Sequence, residues 1–127
     1  MAAIPLRDRY LACIECCNAH RFDDLTEFLA PTMRTAAGDI VPGEHIARLD
    51  RLHASFAGIH WRPLDVVTEG VTVAARLLVS ARHTGAYAGI APSGRESSWA
   101  EGAFSTWSDG RMTSCFSLGE DLRTMLN

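Results

Sequence analysis

A single carboxylate, Glu101, interrupts the otherwise uncharged run Ser97-Ser98-Trp99-Ala100-Glu101-Gly102-Ala103-Phe104-Ser105-Thr106-Trp107. The run has the character of a strand. A carboxylate held in a half-buried strand costs free energy unless it is paired, hydrated or neutralised. Burial raises its pKa toward the range that general acid–base chemistry near neutral pH requires. The plain alternative is that Glu101 faces water or pairs with an arginine on a neighbouring strand. His83 ends a second run, in which Val71, Val73, Ala75, Leu77, Val79 and Ala81 alternate with Thr72, Arg76, Ser80 and Arg82. The apolar set must face inward, and parity carries His83 in with it. On an adjacent strand it would orient Glu101 or share a proton with it. Otherwise it is a rim histidine hydrogen-bonded to the loop at 85–95. Tyr10 offers a phenol donor to a developing oxyanion, or else packs with a wet tip. Trp99 shares the parity of Glu101 and offers a stacking face to a planar substrate, or else is a core tryptophan.

Other reactive residues read as structural. Cys13 and Cys16 have the spacing of a redox or zinc motif, but they lie in a helical pattern and no second pair completes a metal set. With Cys17 and Cys115 they read as reduced thiols acting as small apolar side chains. His45 and His53 stand eight positions apart on one helical pattern, more than two turns, too far to share a metal ion. They and His60 read as solvated. Arg48, Arg51, Arg62 and Arg76 read as surface or subunit contact, not as an anion site. All 12 basic side chains are arginine. The lack of lysine excludes Schiff-base aldolase chemistry, lysine-anchored pyridoxal phosphate and a P-loop.

Positioning these groups requires helices first and strands after. Leu6, Tyr10, Cys13, Ile14 and Cys17 recur at helical spacing over 5–19. Asp23 or Asp24 can cap a short second helix carrying Leu25, Phe28 and Leu29, ending at Pro31. A loop through Gly38 and Pro42-Gly43 leads to a third helix with Ile46, Leu49, Leu52 and Phe56 on one face. The period then changes: strands are predicted at 59–69, 71–84, 96–107 and 111–118, with turns at Glu69-Gly70 and Ser108-Asp109-Gly110. Glu120 to Leu126 reads as a closing helical turn. The expected fold is a single α+β domain over 1–127, with three N-terminal helices packed on a curved, four-stranded, mostly antiparallel sheet around a pocket.

At 127 residues, with 47% hydrophobic and 21% charged residues, the chain can bury a core without staples. A net charge of −3 gives no basic footprint, so nucleic acid is not expected as a partner. No run reaches the length of a membrane span, and Met1-Ala2-Ala3-Ile4-Pro5-Leu6-Arg7-Asp8 lacks the apolar stretch of a signal peptide, so a cytoplasmic location is expected.

The order of elements, with Ala81-Arg82-His83-Thr84-Gly85 and Gly89-Ile90-Ala91-Pro92-Ser93-Gly94-Arg95, resembles the SnoaL-like polyketide cyclases of the nuclear-transport-factor-two-like superfamily. Cys17-Asn18-Ala19-His20-Arg21-Phe22-Asp23-Asp24-Leu25 is similar to that family's helix-loop-helix opening, and Asp109-Gly110-Arg111-Met112 to its last hairpin. The resemblance covers nearly the whole chain. It implies a cone-shaped domain that pairs as a homodimer through its sheet. It implies an intramolecular aldol ring closure on a small apolar or aromatic metabolite, with no cofactor and no metal. The family's catalytic acid falls at Ser117, and its assisting polar positions fall at Glu101 and Ala103. Thr35 and Ser117 match polar pocket positions. The expectation is therefore a cofactor-independent cyclase, isomerase or epoxide-opening enzyme of secondary metabolism such as antibiotic biosynthesis. Glu101 and His83 would be its catalytic residues, with Tyr10, Trp99, Thr35 and Ser117 against the substrate. Its alternatives are a non-catalytic ligand-binding protein of the same fold, which a serine at position 117 favours, and a cofactor-free hydroxylase component.

Overall fold

The computed structural model describes residues 4–119. In chain order it has α1 (Leu6–Asn18), a 3₁₀ turn (Phe22–Glu27), β1 (Leu29–Thr35), β2 (Gly38–Ile40), α2 (Pro42–Ser55), β3 (Phe56–Glu69), β4 (Thr72–His83), β5 (Glu96–Ser108) and β6 (Arg111–Gly119). The strands form one open, curved sheet in the order β2-β1-β6-β5-β4-β3. Every pairing is antiparallel except β1 with β6, which is parallel. No helix among the described residues is long and apolar enough to cross a membrane.

The four long strands lie within a few residues of their expected positions, because strict alternation leaves one register that buries the apolar face. The expected four-stranded sheet and three helices are corrected in the segment 22–40. Leu25, Phe28 and Leu29 belong to a 3₁₀ turn and the start of a strand, not to a second α-helix. Pro31, expected to end that helix, instead lies inside β1. The β1–β6 ladder is irregular between Leu29 and Arg34, and this irregularity accommodates a residue without an N–H. A tight hairpin follows, pairing Thr35 with Gly38, where Gly38 takes φ +104°. Its connecting residues are Ala36 and Ala37, which carry no Asn-Gly-type hairpin signal. The third helix ends one residue early, and Phe56 opens β3 instead. The closing turn at 120–126 lies outside the described residues.

The helices cover one face of the sheet. Phe56, Leu25, Leu29, Met33, Ile59, Val73, Val79 and His83 are fully buried between the layers. Two clamps fix α1. At its end the Asn18 side chain accepts from the Trp61 N–H (2.8 Å) and donates to the Trp61 carbonyl (2.9 Å), like a short length of ladder. Nearer its start Arg9 donates to the carbonyls of Gly110 (2.8 Å) and Glu27 (2.7 Å) and lies over the Phe28 ring. These contacts set which α1 residues look down onto the sheet.

Candidate active site

On the inner face, Leu77 of β4 is the cross-strand partner of Glu101 on β5, and Ala75 that of Ala103. Ala103 in turn opposes Ser117 of β6. Small side chains at these positions leave room above the sheet. Tyr10, Cys13, Ile14 and Cys17 of α1 and His45, Arg48, Leu49 and Leu52 of α2 roof it, both sets at i, i+3, i+4, i+7 spacing. The cavity between the layers is about 110 Å³, walled mostly by apolar side chains, with Glu101, Ser105, Cys115 and Ser117 on the sheet side. A larger depression of about 520 Å³ runs over Gly58, Ser80 and Ser98, but its ionisable side chains are only Arg82 and Glu96, already paired at 3.4 Å. The cavity beneath α1 and α2 is the candidate site.

Its electrostatics follow from burial. Glu101 is half-buried, and desolvation pushes its carboxyl above the ordinary range, with the Arg48 guanidinium pulling it partly back. Burial, then the neighbouring thiols and Glu101, hold the Tyr10 phenol well above its usual value, so its O–H stays intact as a donor. His45 is driven down to about 4 by burial and by Arg48, which keeps it neutral at physiological pH. Cys13 hydrogen-bonds Cys17, which raises the first thiol and lowers the second. Burial raises Cys115, opposed by a hydrogen bond with Ser117 and by Arg48. The arrangement can give and take a proton at one carboxyl and donate a hydrogen bond from one phenol within an apolar space.

Of the expected residues, Glu101, Tyr10 and Ser117 meet in this cavity. His83, Trp99 and Thr35 are not among the side chains that line it. The expected Glu101–His83 pair does not form. His83 is six positions along β4 from Leu77, the partner of Glu101, which is roughly 20 Å at strand rise. His83 stacks on Phe56 (5.3 Å between centroids), and its Nδ1 accepts from the Ser93 N–H (3.3 Å), as in the loop-bonded alternative. Trp99 is buried against Phe56 (5.7 Å), opposite Val79. Thr35 serves its own hairpin, donating to the Gly38 carbonyl (2.7 Å) and accepting from the Ala37 N–H (3.2 Å).

The residues read as bland are the surprise. His45 and Arg48 line the cavity instead of facing only solvent, and Cys13, Cys17 and Cys115 form part of its wall. The 45, 48, 49, 52 spacing on α2 was the available signal, obscured because two of the four are basic. His53, half-exposed, lies against the His20 ring with 4.2 Å between centroids. Among the described residues no group of three His, Cys, Asp or Glu converges as a metal set.

A family model for SnoaL-like polyketide cyclases matches residues 7–125. Comparison with curated proteins gave no significant match. Solved structures share the fold over nearly the whole chain. A SnoaL-like polyketide cyclase from Agrobacterium tumefaciens is 18% identical, with a TM-score of 0.86 covering 98% of this chain and 100% of that one. AclR, a candidate hydroxylase from Streptomyces galilaeus, is 16% identical, with a TM-score of 0.82 over 95% and 83%. An NTF2-like protein of unknown function from Cytophaga hutchinsonii is 16% identical, with a TM-score of 0.67 over 99% and 98%. At such identities the likeness is one of fold.

Proposed function

The chain belongs to the SnoaL-like polyketide cyclase family, and we propose that it is a cytoplasmic, cofactor-independent enzyme of small-molecule biosynthesis. Its reaction is acid–base-assisted cyclisation, isomerisation or epoxide opening of a polyketide-like metabolite in the cavity beneath α1 and α2. The observation that carries this reading is Glu101, a carboxyl raised by burial on the wall of that cavity. The ionised carboxylate takes an acidic C–H proton from the substrate. The resulting enolate carbon bonds to a second carbonyl carbon, and the carbonyl oxygen takes the proton back from Glu101. Tyr10 donates a hydrogen bond to the oxygen where charge develops.

By resemblance the family acid falls at Ser117, where a hydroxyl of ordinary pKa cannot do the work of a carboxylate. Glu101 lies on the neighbouring strand, one pleat along from Ala103, the partner of Ser117. That diagonal spans about 7 Å between Cβ atoms, within reach of a glutamate side chain. The acid is thus carried by β5 instead of β6. The second reading, a ligand-binding protein without turnover, draws on the same serine.

The test needs no substrate: titrate Glu101 by carboxyl carbon NMR, with Glu101→Gln to assign the signal. The expected midpoint lies clearly above the model-peptide value of about 4.3. A midpoint at or below it means a solvated or ion-paired carboxylate and favours the binding reading.

We also propose a homodimer formed through the outer sheet face. One cross-strand row there runs Val67, Ala74, Phe104, Phe116, with Leu118 beside it. Val67 (63%), Phe104 (49%), Phe116 (39%) and Leu118 (71%) are exposed in the single chain. Aligned apolar faces of this kind pack sheet on sheet. Sedimentation should give twice the chain mass for the wild type and the chain mass for Phe104→Asp/Leu118→Asp. A monomeric wild type would end this proposal.

A further inference from the structure

The cavity opens at Glu101 into an outer groove of about 550 Å³. Arg48, Leu52 and Glu101 line both spaces. One wall of the groove is α2, which adds Arg51 and Ser55, and the other is the segment Ala86–Ala88. This second wall is built into the fold. The Ser55 hydroxyl donates to the Ala86 carbonyl (2.8 Å), and the Ser55 carbonyl accepts from the N–H groups of Thr84 (2.9 Å) and Gly85 (3.1 Å). The approach is so close that a Cβ at Gly85 would run into the Ala54 carbonyl oxygen. Tyr87 is held in turn by paired backbone hydrogen bonds with Ile90 and by its ring against Phe56.

Arg48 and Arg51 stand one turn apart on α2, and neither makes an ion pair with another described residue. Two cations over the mouth of an apolar cavity, in a chain of net charge −3, form a local field opposite to the rest of the molecule. Glu101 lines the same groove, and burial raises its carboxyl. We propose that the groove binds an anionic tail of the substrate, a carboxylate or phosphate held by Arg48 and Arg51, while the apolar body enters the cavity. This rests on the cavity being the substrate site. The two sites are coupled: an anion on Arg48 cancels the charge that favours ionised Glu101, so its binding raises the midpoint of the carboxyl and makes the ionised fraction a stronger base, and the linkage is reciprocal.

The probes are 4-phenylbutanoate, 3-phenylpropyl phosphate and the neutral 4-phenylbutanamide, which share a ring and differ in the tail. Their affinities are measured by calorimetry, and Glu101 is followed by carboxyl carbon NMR. The expected result is about tenfold or more tighter binding of at least one anion than of the amide, as charge-assisted hydrogen bonds give. That anion should raise the Glu101 midpoint further. Arg48→Gln/Arg51→Gln should erase the preference, so that anion and amide bind the double variant alike. The anion with the larger preference identifies the tail chemistry. Equal binding of anions and amide, or a preference that survives in the double variant, overturns the inference and leaves the cavity standing if the amide perturbs Glu101. If no probe perturbs Glu101, the cavity reading and the inference fall together.

Discussion

Replacing Glu101 with Gln is expected to slow turnover of an authentic substrate by about 10²–10⁴-fold, the usual loss for a positioned acid–base group, while making the fold more stable above neutral pH. The opposite signs have one cause. Burial raises the Glu101 carboxyl, so the native state binds this proton more tightly than the unfolded chain does. Stability from such a group is complete below the unfolded pKa and is lost as pH rises through the folded one. Above that point the wild type holds a poorly solvated charge that Arg48 only partly offsets, and the amide of Gln removes it at nearly constant volume. Urea unfolding from pH 4 to 9 should show the two proteins closest at the acid end and the variant ahead at the alkaline end. An ion-paired glutamate would give the reverse, a variant less stable at neutral pH, and a solvated one would give no difference. Unchanged turnover in Glu101→Gln would remove Glu101 from catalysis whatever the stability shows.

The same physics explains which parts of the site were legible in the sequence. Glu101 stands out because a lone charge in an apolar strand has few inexpensive places to go, and strand parity decides which face it takes. Parity also carried His83 correctly to the inner face. It could not say how far along the ladder His83 would stand, because that depends on register. The 12 residues from Thr84 to Arg95 join β4 to β5 without fixing which residues of the two strands oppose each other. The ladder pairs Glu101 with Leu77 and Arg82 with Glu96, so His83 is left at the far end among Phe56, Trp99 and the loop. His45 and Arg48 were missed for another reason. Polar residues on a helix are normally its solvated face, and only the position of the sheet beneath α2 shows that their side chains overhang a cavity. The β1–β2 hairpin escaped because a proline inside β1 and a turn of two alanines contradict the local signals for strand and turn.

Phe56 is the residue on which the join between helix layer and sheet depends most, and Phe56→Ala is expected to cost about 3–5 kcal/mol, the range for a fully buried phenylalanine. In a domain of this size that lowers the midpoint of thermal unfolding by roughly 10–20 °C. Phe56 has no exposed surface, follows directly on α2, and pairs across the ladder with His83. Its ring meets those of His83 and Tyr87 at 5.3 Å and that of Trp99 at 5.7 Å. The site adjusts poorly to a hole, because His83 Nε2 is buried with no hydrogen-bond partner among the described residues. Opening the space exposes that nitrogen to solvent or leaves a dry void, and either loosens the segment from Thr84 to Gly94. Limited proteolysis should therefore cut this segment faster in Phe56→Ala than in the wild type, while Phe56→Leu, which keeps most of the volume, recovers a large part of the stability. The cavity around Glu101 draws its walls from other residues and should keep its raised carboxyl, so the Glu101 midpoint is expected to stay in place. A loss below about 1 kcal/mol, typical of ordinary substitutions, would show that the contacts between strands hold this corner without the ring.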